Sequence, residues 1–194
     1  MTTTEFKIIE EPLKPLSMHP KKFALWLFIA SVVMLFASLT SAYIVREAEG
    51  NWVYFELPRL FYVTSVIVIL SSVTMQLAYR AAKKDDLANV KLWIVLTSVL
   101  GVSFLVGQVL AWKELVQSSV YLVGNPSGSF LYIITGLHGL HVVSAVIFLL
   151  IVLFATFRLN VHSKRLAQIE MCLTYWHFLG VLWLYLFVFL LITR

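Results

Sequence analysis

The sequence predicts an all-α integral membrane protein with five transmembrane helices, its N-terminus cytoplasmic and its C-terminus external. Three observations lead there. First, hydrophobic residues make up 60% of the 194-residue chain and charged residues only 13%, about half the charged share of a soluble domain. A soluble fold of this size has no core large enough to hide that surface, so lipid must be its solvent. Second, five apolar runs, at 23–45, 60–79, 92–112, 130–157 and 171–193, contain no Asp, Glu, Lys or Arg. Each has about the 20 residues of helix that a hydrocarbon core of roughly 30 Å requires. Third, Lys and Arg alternate in abundance between successive connections. The segments before the first run, between the second and third, and between the fourth and fifth hold 11 of them, against 4 on the opposite set. Basic residues gather on the cytoplasmic side, which sets the orientation.

The segments follow in order. Residues 1–22 form a polar cytoplasmic tail with Lys7, Lys14, Lys21 and Lys22 and no small-residue cleavage site; the first run therefore reads as an uncleaved anchor, and 23–194 as the membrane domain. The connection at 46–59 carries Trp52, Tyr54 and Phe55, rings that settle at headgroup level. Asn125-Pro126-Ser127-Gly128 reads as an outer turn before the fourth run. The net charge of +5 is accounted for by basic residues flanking the membrane, without nucleic acid. The single cysteine, Cys172, lies in an apolar run, so disulfides, paired-cysteine zinc sites and CxxCH haem attachment are excluded. No repeat is visible, and an odd helix number does not suit the two inverted halves of a transporter.

Few residues carry chemistry. Thr135-Gly136-Leu137-His138-Gly139-Leu140-His141 lies in the fourth run, where spacing by three places Thr135, His138, His141 and Ser144 on one polar stripe. Gly136 and Gly139 beside it are positioned to let another helix approach closely. Two functions suit this pattern. Neutral imidazoles are good metal or haem ligands, or they are hydrogen-bonded between helices, away from lipid. The second is the commoner use, and the only other intramembrane histidine is His177, with no membrane carboxylate beside it. No metal site is expected. In the fifth run Trp176, Gly180, Trp183 and Phe187 recur with the period of a close-packed face. Ser71, Ser72, Thr74 and Gln76 of the second run, and Gly101 and Gln108 of the third, are expected to hydrogen-bond or pack between helices. Glu170 opens the fifth run near Arg158, Lys164 and Arg165, a grouping that suits a lipid headgroup as well as a simple ion pair.

Residues 135–142, and Glu170 followed by Tyr175-Trp176-His177-Phe178, resemble the signatures of cytochrome c oxidase subunit III. Trp26-Leu27-Phe28-Ile29-Ala30-Ser31 is similar to the start of that family's first shared helix, and Ser71-Ser72 and Gly101 with Gln108 fall where similar residues recur. The length is similar to the five-helix bacterial form, without the two N-terminal helices of the mitochondrial type. The resemblance implies a non-catalytic subunit of a haem–copper terminal oxidase in the bacterial inner membrane. It implies packing on subunit I, contact with subunit II and small accessory subunits, and support of dioxygen reduction and proton pumping. Haems and copper would belong to the partner subunits, and this chain would hold no cofactor beyond bound phospholipid. Arg158, Glu170 and His162 are the expected lipid-binding residues. The superfamily includes quinol oxidases, so the electron donor stays open. Two positions depart from the pattern: Val32 stands where the family often has a membrane Glu, and Gly180 where it commonly has Asp. Any proton-holding role of that Glu does not carry over. Two rival readings are a small membrane cytochrome ligating haem through His138 or His141 with His177, and a transporter.

Overall fold

In the computed structural model, which describes residues 20–158 and 164–193, the chain is a bundle of five helices. They are α1 (Pro20–Ala48), α2 (Arg59–Lys83), α3 (Leu87–Gln117), α4 (Pro126–Arg158) and α5 (Lys164–Ile192). All five are long and apolar enough to cross a membrane. Even α2, the shortest with 25 residues, runs roughly 37 Å at 1.5 Å per residue, beyond a hydrocarbon core of about 30 Å. Each helix thus continues past the uncharged run that announced it. Lys22, Arg46, Arg80 and Lys83 are all helical, because a backbone leaving the hydrocarbon keeps its hydrogen bonds most simply by staying helical, while long basic side chains reach to the interface.

Local chemistry fixes the ends. Asp86 caps α3 by accepting a hydrogen bond from the Asn89 amide at 3.2 Å, and that bond, reinforced by the Asn89 side chain, holds its carboxyl below the usual carboxylate range. At the start of α4 the expected turn is instead the helix N-terminus. Asn125 Oδ1 accepts from the Ser127 amide at 2.9 Å and from its hydroxyl at 2.6 Å, and Pro126 is the first helical residue, where its missing N–H costs nothing. Asn125 also donates to the Asn51 carbonyl at 3.1 Å, joining two connections on the same side of the bundle.

α5 packs against α2, α4 and α1, and α4 against α3, α5 and α1, while α2 and α3 form an antiparallel pair with the most extensive contact in the bundle. Among the described residues α1 touches only α4 and α5 among the helices. Its inward line is Ile29, Val32, Phe36, Thr40 and Tyr43; its outward face, with Phe23, Trp26, Leu27 and Met34, is exposed.

Candidate functional site

The polar groups predicted to carry function fall into a centre between the helices and a rim at one end of the bundle. At the centre, glycines let bulky rings cross between helices. A Cβ added at Gly101 would lie 2.6 Å from Trp176 Cη2, so α3 accommodates the indole of α5 only because residue 101 has no side chain. At Gly180 the nearest atoms to an added Cβ would be Ser72 Oγ at 3.1 Å and Val68 Cγ1 at 3.2 Å, and at Gly107 Thr64 Cγ2 at 2.5 Å. Gly136 and Gly139 do not serve as expected. An added Cβ at Gly136 would meet nothing closer than Trp112 at 3.9 Å, and at Gly139 nothing within 4 Å.

Hydrogen bonds between side chains close the same centre. Trp176 Nε1 donates to Ser71 Oγ at 3.1 Å and Trp183 Nε1 to Ser65 Oγ at 2.9 Å. Gln108 Nε2 donates to Thr64 Oγ1 at 3.2 Å, Thr74 and Thr97 hydroxyls are 2.8 Å apart, and Trp112 Nε1 donates to Thr135 Oγ1 at 3.1 Å. Every one of these spans two helices. In hydrocarbon an unpaired N–H or hydroxyl would be costly, so the pairs fix which helix faces meet. The residues expected to be interhelical packing and hydrogen-bonding groups on α2, α3 and α5 are therefore brought together; the partners Ser65 and Thr64 were not singled out beforehand, although Trp183 with no nearby acceptor of its own was the available signal.

The fourth-helix polar stripe is not a single face. Thr135 and His138 are fully buried, His141 is half-buried and Ser144 is exposed. Steps of three residues on a helix turning about 100° per residue slip by roughly 60° each, so three such steps carry the row halfway round. The histidines accordingly have separate surroundings. His141 Nδ1 lies 2.7 Å from the Leu137 carbonyl; a carbonyl only accepts, so this nitrogen carries the proton and is not a ligand. Ser144 Oγ, 2.8 Å from Tyr175 Oη, ties the next turn of α4 to α5. His177 faces Gln76 of α2 at 3.3 Å, on a shallow groove of about 390 Å³ that runs past Ile69, Ser72 and Val73 to Arg80. His138 lies among Phe36, Phe104 and Trp183, with ring centroids 6.4, 5.9 and 5.2 Å away. Among the described residues no three His, Cys, Asp or Glu side chains converge.

At the rim formed by the N-terminal ends of α1 and α5, Glu170 Oε2 is 2.8 Å from Lys22 Nζ of α1, with both side chains partly exposed. The sequence grouped Glu170 with nearby cations of the connection before it; the partner that the structure supplies comes from the other end of the chain. Arg158 is the last residue of α4, but its side chain, like all of His162, lies outside the described residues.

Comparison with known proteins agrees with this architecture. The sequence model of the family described as Cytochrome c oxidase subunit III matches residues 15–193. Cytochrome c oxidase subunit 3 of Corynebacterium diphtheriae is 31% identical over 83% of this chain and 82% of its own length. Probable cytochrome c oxidase subunit 3 of Nocardia farcinica is 32% identical, over 87% and 85%. Cytochrome bo(3) ubiquinol oxidase subunit 3 of Buchnera aphidicola is 27% identical, over 91% and 96%. With the family motifs at 135–142 and 175–178 placed in one multi-pass membrane bundle, the chain belongs to the cytochrome c oxidase subunit III family.

Proposed function

We propose that this chain is the non-catalytic third subunit of a bacterial haem–copper terminal oxidase, held in the inner membrane with its N-terminus cytoplasmic. It packs on subunit I in a complex with subunit II and small accessory subunits, retains phospholipid, and supports dioxygen reduction and proton pumping that occur elsewhere. The observation that carries this reading is the family match over residues 15–193, joined to three intramembrane histidines that face three different surroundings. His141 Nδ1 is engaged by a carbonyl, His177 by Gln76, and His138 is walled by aromatic rings. Such a set suits a packed scaffold better than a bis-histidine haem site built from His177 with His138 or His141, in which two imidazoles must point at one iron. The relatives carry both cytochrome c and ubiquinol oxidase names, so the donor is read no further than that.

Phospholipid is assigned to the cytoplasmic ends of α4 and α5, bordered by Arg158 and Glu170 with His162 in the intervening connection. An Arg guanidinium takes a phosphate through two parallel hydrogen bonds, which Lys cannot copy. Purification of the tagged chain in mild detergent tests the whole reading. Subunits I and II should accompany it, and the chain alone should show no Soret band; a stoichiometric band lost in His138→Ala or His177→Ala would replace the scaffold by a cytochrome. Arg158→Gln should lower lipid retention and shorten the working life of the assembled oxidase while its initial turnover stays near normal. Reporter fusions after Lys84 and Arg165 should read as cytoplasmic, and those after Glu49 and Lys113 should not.

A further inference from the structure

His138 is 1% exposed, and neither of its ring nitrogens has a hydrogen-bond partner among the described residues. It lines a cavity of about 20 Å³ together with Val68, Ser71, Phe104, Trp176 and Gly180. That is room for one water molecule and little else, since a water needs roughly 10–15 Å³ measured this way. A water also needs polar partners, and the wall offers them. Ser71 Oγ donates to the Val68 carbonyl at 2.8 Å and accepts from Trp176 Nε1 at 3.1 Å. A hydroxyl oxygen has two lone pairs, so one is left.

We propose that this cavity is a binding site for a single water molecule, which donates one hydrogen to a ring nitrogen of His138 on α4 and the other to Ser71 Oγ on α2. As the neutral ring, His138 has one lone pair and one N–H. The water takes the lone pair. The N–H is left to an aromatic face: Phe36 and Phe104 stand at 71° and 87° to the imidazole, the arrangement in which an N–H can point into a ring. Both nitrogens and the last lone pair of Ser71 are then satisfied. The water would also link two helices that do not otherwise pack on each other. A metal ion does not suit the cavity, because its only other polar side chains are one hydroxyl and one indole N–H, and the hydroxyl already bonds twice.

The test uses the assembled oxidase. In a cryo-EM map sharp enough to show ordered water, one isolated peak should lie about 2.7–3.2 Å from a His138 ring nitrogen and about 2.5–3.0 Å from Ser71 Oγ. An empty cavity, or a His138 nitrogen bonded directly to a protein or partner-subunit group, would overturn the proposal. In histidine-labelled complex, solid-state NMR should show the unprotonated nitrogen of His138 receiving magnetisation from water, with that transfer lost in Ser71→Ala. Transfer unchanged in an assembled Ser71→Ala complex would remove Ser71 from the site and with it the bridge. The wild-type map decides the matter even if the variant fails to assemble.

Discussion

The α2–α3–α5 centre and the α1 edge use the same apolar residues and are held in opposite ways. In the centre, backbone approaches depend on single missing side chains, at Gly101, Gly107 and Gly180, and indole and amide donors find hydroxyls across helices. Along α1 no such glycine exists before Gly50. α1 is attached at separate points instead, Phe28 against Tyr175 being one of them. Phe36 packs against His138 and His141 at mid-height, with Thr40 and Tyr185 hydroxyls 3.1 Å apart near it. Tyr43 meets Trp52, Phe130 and Phe189 at one end, and Lys22 meets Glu170 at the other. A membrane bundle has no hydrophobic drive between its helices, so fit and polar pairing must fix them. The centre combines both, at Gly101, Gly107 and Gly180 and in its side-chain pairs; the edge has polar pairing at intervals and presents its outer face to lipid or to another subunit.

The largest expected effect would come from placing a charge-bearing group on the inner line of α1. Val32 is 3% exposed. Val32→Glu should destabilise the bundle by on the order of 3 kcal/mol, as carboxylates in helix centres do, read as a lowered temperature of half-inactivation. Its carboxyl should react with a hydrophobic carbodiimide, while residues 23–45 of the wild type, which hold no carboxyl, should not be labelled. A fully stable Val32→Glu protein would mean that the inner line of α1 is open to water and that the edge is looser still than described.

Second comes Gly101→Ala. Its Cβ would lie 2.6 Å from the tip of the Trp176 ring and 3.2 Å from Val146 Cγ2. Neither neighbour is a flexible end, and Trp176 is held by Ser71, so a loss of about 1–3 kcal/mol is expected. Gly139→Ala is the control: with nothing within 4 Å, it should be neutral or stabilise by up to about 1 kcal/mol through helix propensity. Equal effects at the two positions would dissolve the contrast between a close-packed centre and an open face.

These two glycines also show where the sequence stopped being informative. Hydropathy and alternating basic residues gave the helix number, because the need to satisfy every backbone group in lipid leaves few alternatives. Facing is a different matter. Gly101 and Gly180 read as packing positions in the sequence and are so in the fold. Gly136 and Gly139, inside the family motif, attract the same reading without the contacts, and Gly107 goes unread, since rotation about a helix depends on its neighbours and nearly uniform apolarity around each helix hides it. Asn125-Pro126-Ser127-Gly128 misled for a local reason: the residues that make turns also cap helices. Lys22 was passed over as tail charge, because nothing within 22 residues of sequence shows that its partner lies 148 residues away.

Third in size is the coupling between Trp183 and Ser65. Trp183 is fully buried, and its N–H reaches Ser65 Oγ at 2.9 Å. A double-mutant cycle of Trp183→Phe with Ser65→Ala should return about 0.6–1.7 kcal/mol, the range of interhelical hydrogen bonds in membranes. The same cycle on Thr40 and Tyr185, whose hydroxyls are 3.1 Å apart at the α1 edge with Tyr185 49% exposed, should return less. A larger value at the edge would invert the comparison.

The smallest effect belongs to Lys22 and Glu170. Their atoms are 2.8 Å apart, but the side chains keep 33% and 40% of their exposure, and ion pairs open to water couple by only about 0.2–1 kcal/mol. Lys22→Met combined with Glu170→Gln should show that modest coupling at low ionic strength, and it should fade near 1 M salt, where screening acts within about 3 Å. The pair also bears on lipid. A carboxylate repels phosphate, so in the lipid role proposed above Glu170 would contribute by holding a cation beside the headgroup. Lys22→Met should then lower phospholipid retention in the assembled oxidase, by less than Arg158→Gln because a lysine offers no bidentate grip. Coupling that persists undiminished in high salt would instead mean that the pair is sealed from water by a partner. In that case α1 would be an interior helix of the complex, and its loose attachment a property of the isolated chain alone.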